Sequence, residues 1–210
     1  MPEQTLRDQH ADFTRDIIFE ALTRLVSKEG VHDFSIQRVA DLAGVSHRTV
    51  YRHFPTREEL LEALALWLEE RMPRDLSSFA PDQVEDAIRT VHGLFEQYSE
   101  QVTALAVLAA GARIRIPRRN EHSRTVERAL AGLVRHLAPG DARAVVTLIR
   151  SILGSHMWSH LRNDHGLDGE QTTRAVVWAV RTLIDALKAE KGPKSKKAER
   201  RAHATLGANR

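Results

Sequence analysis

The chain has few side chains that could do chemistry, and its densest set lies in SHRTVYRHFPTR, residues 46–57. His47, Arg48, Thr49, Tyr51, Arg52 and His53 can all donate hydrogen bonds, and no carboxylate interrupts them. A short helix whose outer face only donates or carries positive charge suits the major groove of DNA, where guanine offers O6 and N7 together. A second set is His156 and His160, spaced i, i+4 on one side of a helix. The residues between them are Met157, Trp158 and Ser159, so the glutamate of a zinc-protease motif is missing and no nearby carboxylate or cysteine completes a ligand set. We expect no metal and no cofactor. A third set, Arg113, Arg115, Arg118 and Arg119 around Pro117, can either receive an anionic effector or pair with the acids of a neighbouring helix.

The elements that must position these residues are helical. Apolar residues recur at three- and four-residue spacing, and no segment sustains two-residue alternation. A first helix over about 9–29 places Phe13, Ile17, Ile18, Ala21, Leu22 and Leu25 on one face and stops at Gly30. Two short helices follow, joined by a turn in which Gly44 supplies a positive φ and Ser46 caps the next helix. Val50 and Phe54 are that helix's inward residues. Thr56 and Glu59 form a capping box for a fourth helix that Pro73 ends. Helices are then expected near 82–101, 102–116, 118–137, 140–163 and 169–190, about nine in all, and Asp168 with Gln171 makes a second capping signature.

Composition bounds the alternatives. With 210 residues the chain can bury a substantial core, and without cysteine it has no disulfide framework and no thiol nucleophile. No apolar run approaches the ~18 residues that span a bilayer, so no membrane association is expected, and the absence of cysteine fits a reducing cytoplasm. No G-x-S-x-G, H-E-x-x-H or phosphate-binding glycine loop is present, so no enzymatic activity is expected. The net charge of +3 hides a division: residues 188–210 carry eight basic and two acidic side chains, leaving the rest at −3. Locally, 44–57 holds three arginines and no acid, whereas 58–100 holds eleven acids against three arginines. Such a molecule accepts phosphates at one end and repels them with its middle. The end of the chain, from Gly192, is low in hydrophobic residues, and its composition predicts disorder.

The string AGVS-x-x-TVY-x-HF over 43–54, with Arg15, Ile18, Ala21, Leu25, Glu29–Gly30, Ser35–Ile36, Val39–Ala40 and Glu58–Glu59–Leu60, resembles the TetR/AcrR family of transcriptional regulators. The resemblance implies an all-α homodimer with an N-terminal helix-turn-helix domain and a C-terminal helical bundle for ligand binding and dimerisation. With the loop-like composition of 73–82 as the boundary, the DNA-binding domain is expected at 1–57, a linking fourth helix at 57–72, the bundle at 73–191 and a basic tail at 192–210. It implies a sequence-specific repressor, released from a near-palindromic double-stranded operator by a small-molecule effector.

Under that resemblance Ser35 and Ser46 cap helices whose N-termini can point at phosphates. Tyr51 matches a phosphate-holding tyrosine, and Arg57 stands where the family often has lysine. His47, Arg48, Thr49 and Arg52 are candidates for base edges, Arg48 foremost. His53 is equally suited to packing or to DNA. The alternative for Tyr51 is a core aromatic, and for Arg48 and Arg52 a solvated face. Candidates for a ligand pocket are His92, Phe95, Tyr98, Arg113, His156, Trp158, His160 and Trp178, each of which could instead be ordinary core. The alternative to a DNA-binding regulator is an all-α protein with an enzymatic or non-DNA interaction role.

Overall fold

A computed structural model describes residues 5–73, 79–111 and 117–193, with the side chains of all of these except 7 and 117–123. The described residues form ten α-helices and no strand. They are α1 (Leu6–Glu29), α2 (Ile36–Ala43), α3 (His47–His53), α4 (Arg57–Arg71), α5 (Val84–Gln97), α6 (Ser99–Gly111), α7 (Pro117–Leu130), α8 (Pro139–Leu153), α9 (Ser155–Ser159) and α10 (Gly169–Lys188). A 3-10 turn, Pro81–Gln83, leads into α5, and a π-helical turn, His160–Asp164, follows α9. The all-α fold with an N-terminal helix-turn-helix and a C-terminal helical domain is as the sequence predicts, and the tenth helix arises where one long helix was expected.

The chain divides into two compact units that do not follow chain order. One contains residues 1–74 and 93–120, the other 75–92 and 121–210. In the first, α1 buries Ile18, Leu22, Leu25 and Val26 against α2, α4 and α6. Leu60, Leu64 and Leu68 of α4 and Ala104 and Leu108 of α6 close the same core. Phe13 does not join this face: it is 66% exposed, because it lies ~140° round the helix from Ile18. Phe19 takes the inward place instead, tilted against Phe54 and Trp67 at 5.1 and 5.4 Å between ring centroids. Trp67 also donates its indole N–H to Asp16 at 2.6 Å, and Arg71 both pairs with Asp16 and stacks on Trp67.

In the second unit, α8 and α10 pack together through Ile149 and Leu153 on one side and Val176, Val180, Ile184 and Leu187 on the other. Asp168 caps α10 as the sequence predicts: its carboxylate accepts from the Gln171 N–H, and its own N–H donates to Gln171 Oε1. The helix expected over 140–163 breaks at Gly154, whose φ of −78° and ψ of 152° are extended. A glycine inside a helix exposes backbone to water and loses the most chain entropy, so a break there costs least. The helix expected to reach residue 137 ends at Leu130, and tight turns carry Leu133, Val134 and Leu137 back onto the core.

Candidate DNA-reading helix and regulatory unit

The α2–α3 element is built from its turn outward. Gly44 adopts φ 67° and ψ 28°, a left-handed conformation that closes α2. Its N–H reaches Asp41 O at 3.3 Å while the N–H of Val45 reaches Ala40 O at 3.0 Å, the paired bonds of a Schellman motif. One residue later Ser46 starts α3, accepting from the Thr49 N–H at 3.1 Å and sharing a 2.8 Å hydroxyl contact with Thr49. Ser35 caps α2 in the same way, accepting from the Arg38 N–H at 3.2 Å. Both serines therefore hold helix starts with their side chains.

Beneath α3, Val50 and Phe54 are buried, and the Arg15 guanidinium lies 5.6 Å from the Phe54 ring. Arg38 of α2 makes a two-pronged bridge to Glu29 at the end of α1, at 2.5 and 2.7 Å. The outer face is different in kind. His47, Arg48, Tyr51 and Arg52 are exposed, and the His47 ring meets Tyr51 edge-on at 4.8 Å. Arg48 and Arg52 make no hydrogen bond or ion pair with the described residues. Thr49 is half-buried, with its hydroxyl held at the cap.

Two residues grouped with this face point elsewhere. His53 is half-buried beside Phe54, and its Nε2 is enclosed without a hydrogen-bond partner. Burial, then the charges of Arg52 and Arg15, hold its pKa below the usual histidine value, so at neutral pH it is an uncharged packing ring. Arg57, expected to offer a donor to DNA, turns back into the protein. Its Nη1 donates to Phe34 O at 2.9 Å, its Nη2 donates to Val31 O, and the guanidinium stacks 3.9 Å above the Phe34 ring. The reason is local: the 31–34 connection presents two loop carbonyls, Val31 O and Phe34 O, that a forked donor can satisfy together.

The predicted pocket residues are not gathered into one place. His92 is buried, and its Nδ1 lies 2.9 Å from the Thr173 hydroxyl. That hydroxyl's only proton goes to Gly169 O at 2.8 Å, so it accepts from His92 and fixes the Nδ1–H tautomer. Burial pushes the His92 pKa down to about 4. Trp158 is buried and Trp178 is 71% exposed, on the rim of an open groove of about 400 Å³. Arg89 and Arg181 in that groove both pair with Glu85, so their charges are already answered. Phe95 is buried and Tyr98 half-buried, both in the first unit. His156 and His160 are exposed and stack at 6.4 Å. Arg113 and Arg115, and the side chains of Arg118 and Arg119, lie outside the described residues.

Residues 18–64 match the model of the bacterial regulatory proteins of the tetR family. The match spans the helix-turn-helix, and over that segment the chain is similar to the tetR family. Over 100 residues it is 29% identical to the nucleoid occlusion factor SlmA of Vibrio campbellii, covering 46% of this chain and 51% of that one. Over 106 residues it is 26% identical to the HTH-type transcriptional regulator UidR of Escherichia coli K12, covering 48% and 53%. The chain thus spans about half the length of the curated relatives it matches. The fold is shared more widely. A TetR-family structure from Marinobacter aquaeolei VT8 aligns with TM-score 0.58 at 16% identity, covering 85% of this chain and 97% of that one. One from Rhodococcus aligns with TM-score 0.59 at 19% identity, covering 82% and 99%. No helix among the described residues is long and apolar enough to cross a membrane.

Proposed function

We propose that the chain is a sequence-specific, cytoplasmic transcriptional repressor that grips a near-palindromic operator as a homodimer. A small-molecule effector in the second unit favours a conformer with lower operator affinity, and a tenfold drop needs ~1.4 kcal/mol of differential binding. The observation that carries this reading is the outer face of α3, where four exposed donors stand on a helix anchored by buried Val50 and Phe54. Arg48 and Arg52 are the base-reading residues and Tyr51 the phosphate contact. Transcriptional regulation in the family, with no catalytic motif in the sequence, supports a non-enzymatic role.

Selection of bound fragments from random DNA tests the reading, and it should return inverted half-sites about one helical turn apart. Against the selected site, Arg48→Ala should lose ~1–3 kcal/mol of discrimination at one base position. Tyr51→Phe should weaken all sequence variants alike. Recovery of no sequence, or equal loss across every base variant for Arg48→Ala, would remove the base-reading role.

A further inference from the structure

The π-helical turn after α9 brings together two imidazoles that ordinary helix spacing would hold apart. In an α-helix, residues i and i+5 point in different directions. Here the His165 N–H reaches His160 O at 3.3 Å, an i to i+5 bond that draws the two residues alongside each other. Their side chains converge as well: His160 Nε2 and His165 Nε2 are 3.1 Å apart, with the rings at 83°. Two nitrogens bound to one metal ion at about 2.0–2.1 Å, at angles from square to tetrahedral, stand roughly 2.8–3.4 Å apart.

The other side of His160 is prepared in the manner of metal-binding histidines. Its Nδ1 lies 2.6 Å from Asp164 Oδ2. A carboxylate there accepts the Nδ1 proton, fixes the tautomer and leaves the Nε2 lone pair directed at His165. All three side chains are exposed, so an ion has access from solvent.

Against the expectation from sequence of no metal, we infer that His160 and His165, backed by Asp164, form a binding site for a divalent transition-metal ion of imidazole preference. In the metal-free protein His165 donates its Nε2 proton to His160. On binding, that proton passes through solvent to His165 Nδ1, and both Nε2 lone pairs face the ion. No group of three or more His, Cys, Asp or Glu side chains among the described residues is placed to hold a metal, so water completes the coordination. Copper(II) is the strongest binder to be expected of such a site. His156 stacks on His160 at 6.4 Å and is not a ligand.

The test uses the full chain without DNA, so its outcome is separate from that of the operator experiments. One equivalent of Cu2+ is added after chelator dialysis, and bound imidazole nitrogens are counted by pulsed electron paramagnetic resonance while affinity is measured by competition. The parent should show two equatorial imidazoles. His165→Ala should leave one and weaken binding at least tenfold. Asp164→Asn should keep both nitrogens but weaken binding 10- to 100-fold. His156→Ala should match the parent. Circular dichroism of each variant checks that the helices persist. Parent-like affinity and nitrogen count in a folded His165→Ala, or loss of the site in His156→Ala instead, would overturn the assignment.

Discussion

Arg57→Ala lowers the free energy of unfolding by about 2–4 kcal/mol, with a matching fall in the urea midpoint. The side chain donates to two carbonyls, Phe34 O and Val31 O, and covers the Phe34 ring. Each hydrogen bond from a charged donor contributes roughly 1.5–3 kcal/mol, and the stacked cation adds about 0.5–1 kcal/mol. The sum is reduced because the site is half-buried and water can reach the freed carbonyls. Arg57→Lys restores little of the loss, since a single ammonium cannot close on both oxygens in the geometry of a planar fork. The same substitutions separate this role from a phosphate contact. A positioning residue leaves the salt dependence of DNA binding unchanged, whereas removal of a phosphate contact reduces the slope by about one. A stable Arg57→Ala protein with a shallower salt slope would return this residue to the DNA surface.

Acid destabilises the protein through His92. Its folded pKa is about 4, held down by burial, against 6.5 for the free side chain. Above pH 6.5 the ring is neutral in both folded and unfolded chains, and its neutrality has no cost. As pH falls from 6.5 towards 4 the unfolded chain takes up a proton that the folded one refuses, so stability falls. The full loss across that window is about 3 kcal/mol, and below pH 4 this group adds nothing further. His53 acts in the same direction for the same reason. His92→Gln keeps a donor for the Thr173 hydroxyl but does not titrate, so its stability profile between pH 4 and 6.5 should be flatter than the parent's by 2–3 kcal/mol. Parallel profiles for the two proteins would show that His92 is not the group responsible.

The parts of the molecule that were legible in the sequence are those fixed by short-range rules. Gly44 and Ser46 mark the helix-turn-helix because a left-handed closure and a side-chain cap each demand few residue types. Asp168 with Gln171 marks the start of α10 for the same reason. What was not legible depended on partners far away in the chain. Phe13 and Phe19 are equally apolar, and only the placement of Phe54 and Trp67 decides which is buried. Arg57 has the charge of a DNA contact, and only the two carbonyls of the 31–34 connection turn it inward. His165 escaped notice because five residues is not a helical repeat, until the backbone loosens into a π-turn.

The seating of α6 against α1 and α4 bears on protein engineering. Residues 1–74 look like a portable cassette, yet Ala104 and Leu108 belong to the same core as Leu22 and Leu64. A graft cut at residue 73 would carry an open apolar wound into its new host. The compact unit is a discontinuous one, residues 1–74 with 93–120, so on the proposed function a swap of operator specificity is better made by exchanging the surface of α3 than by exchanging residues 1–74.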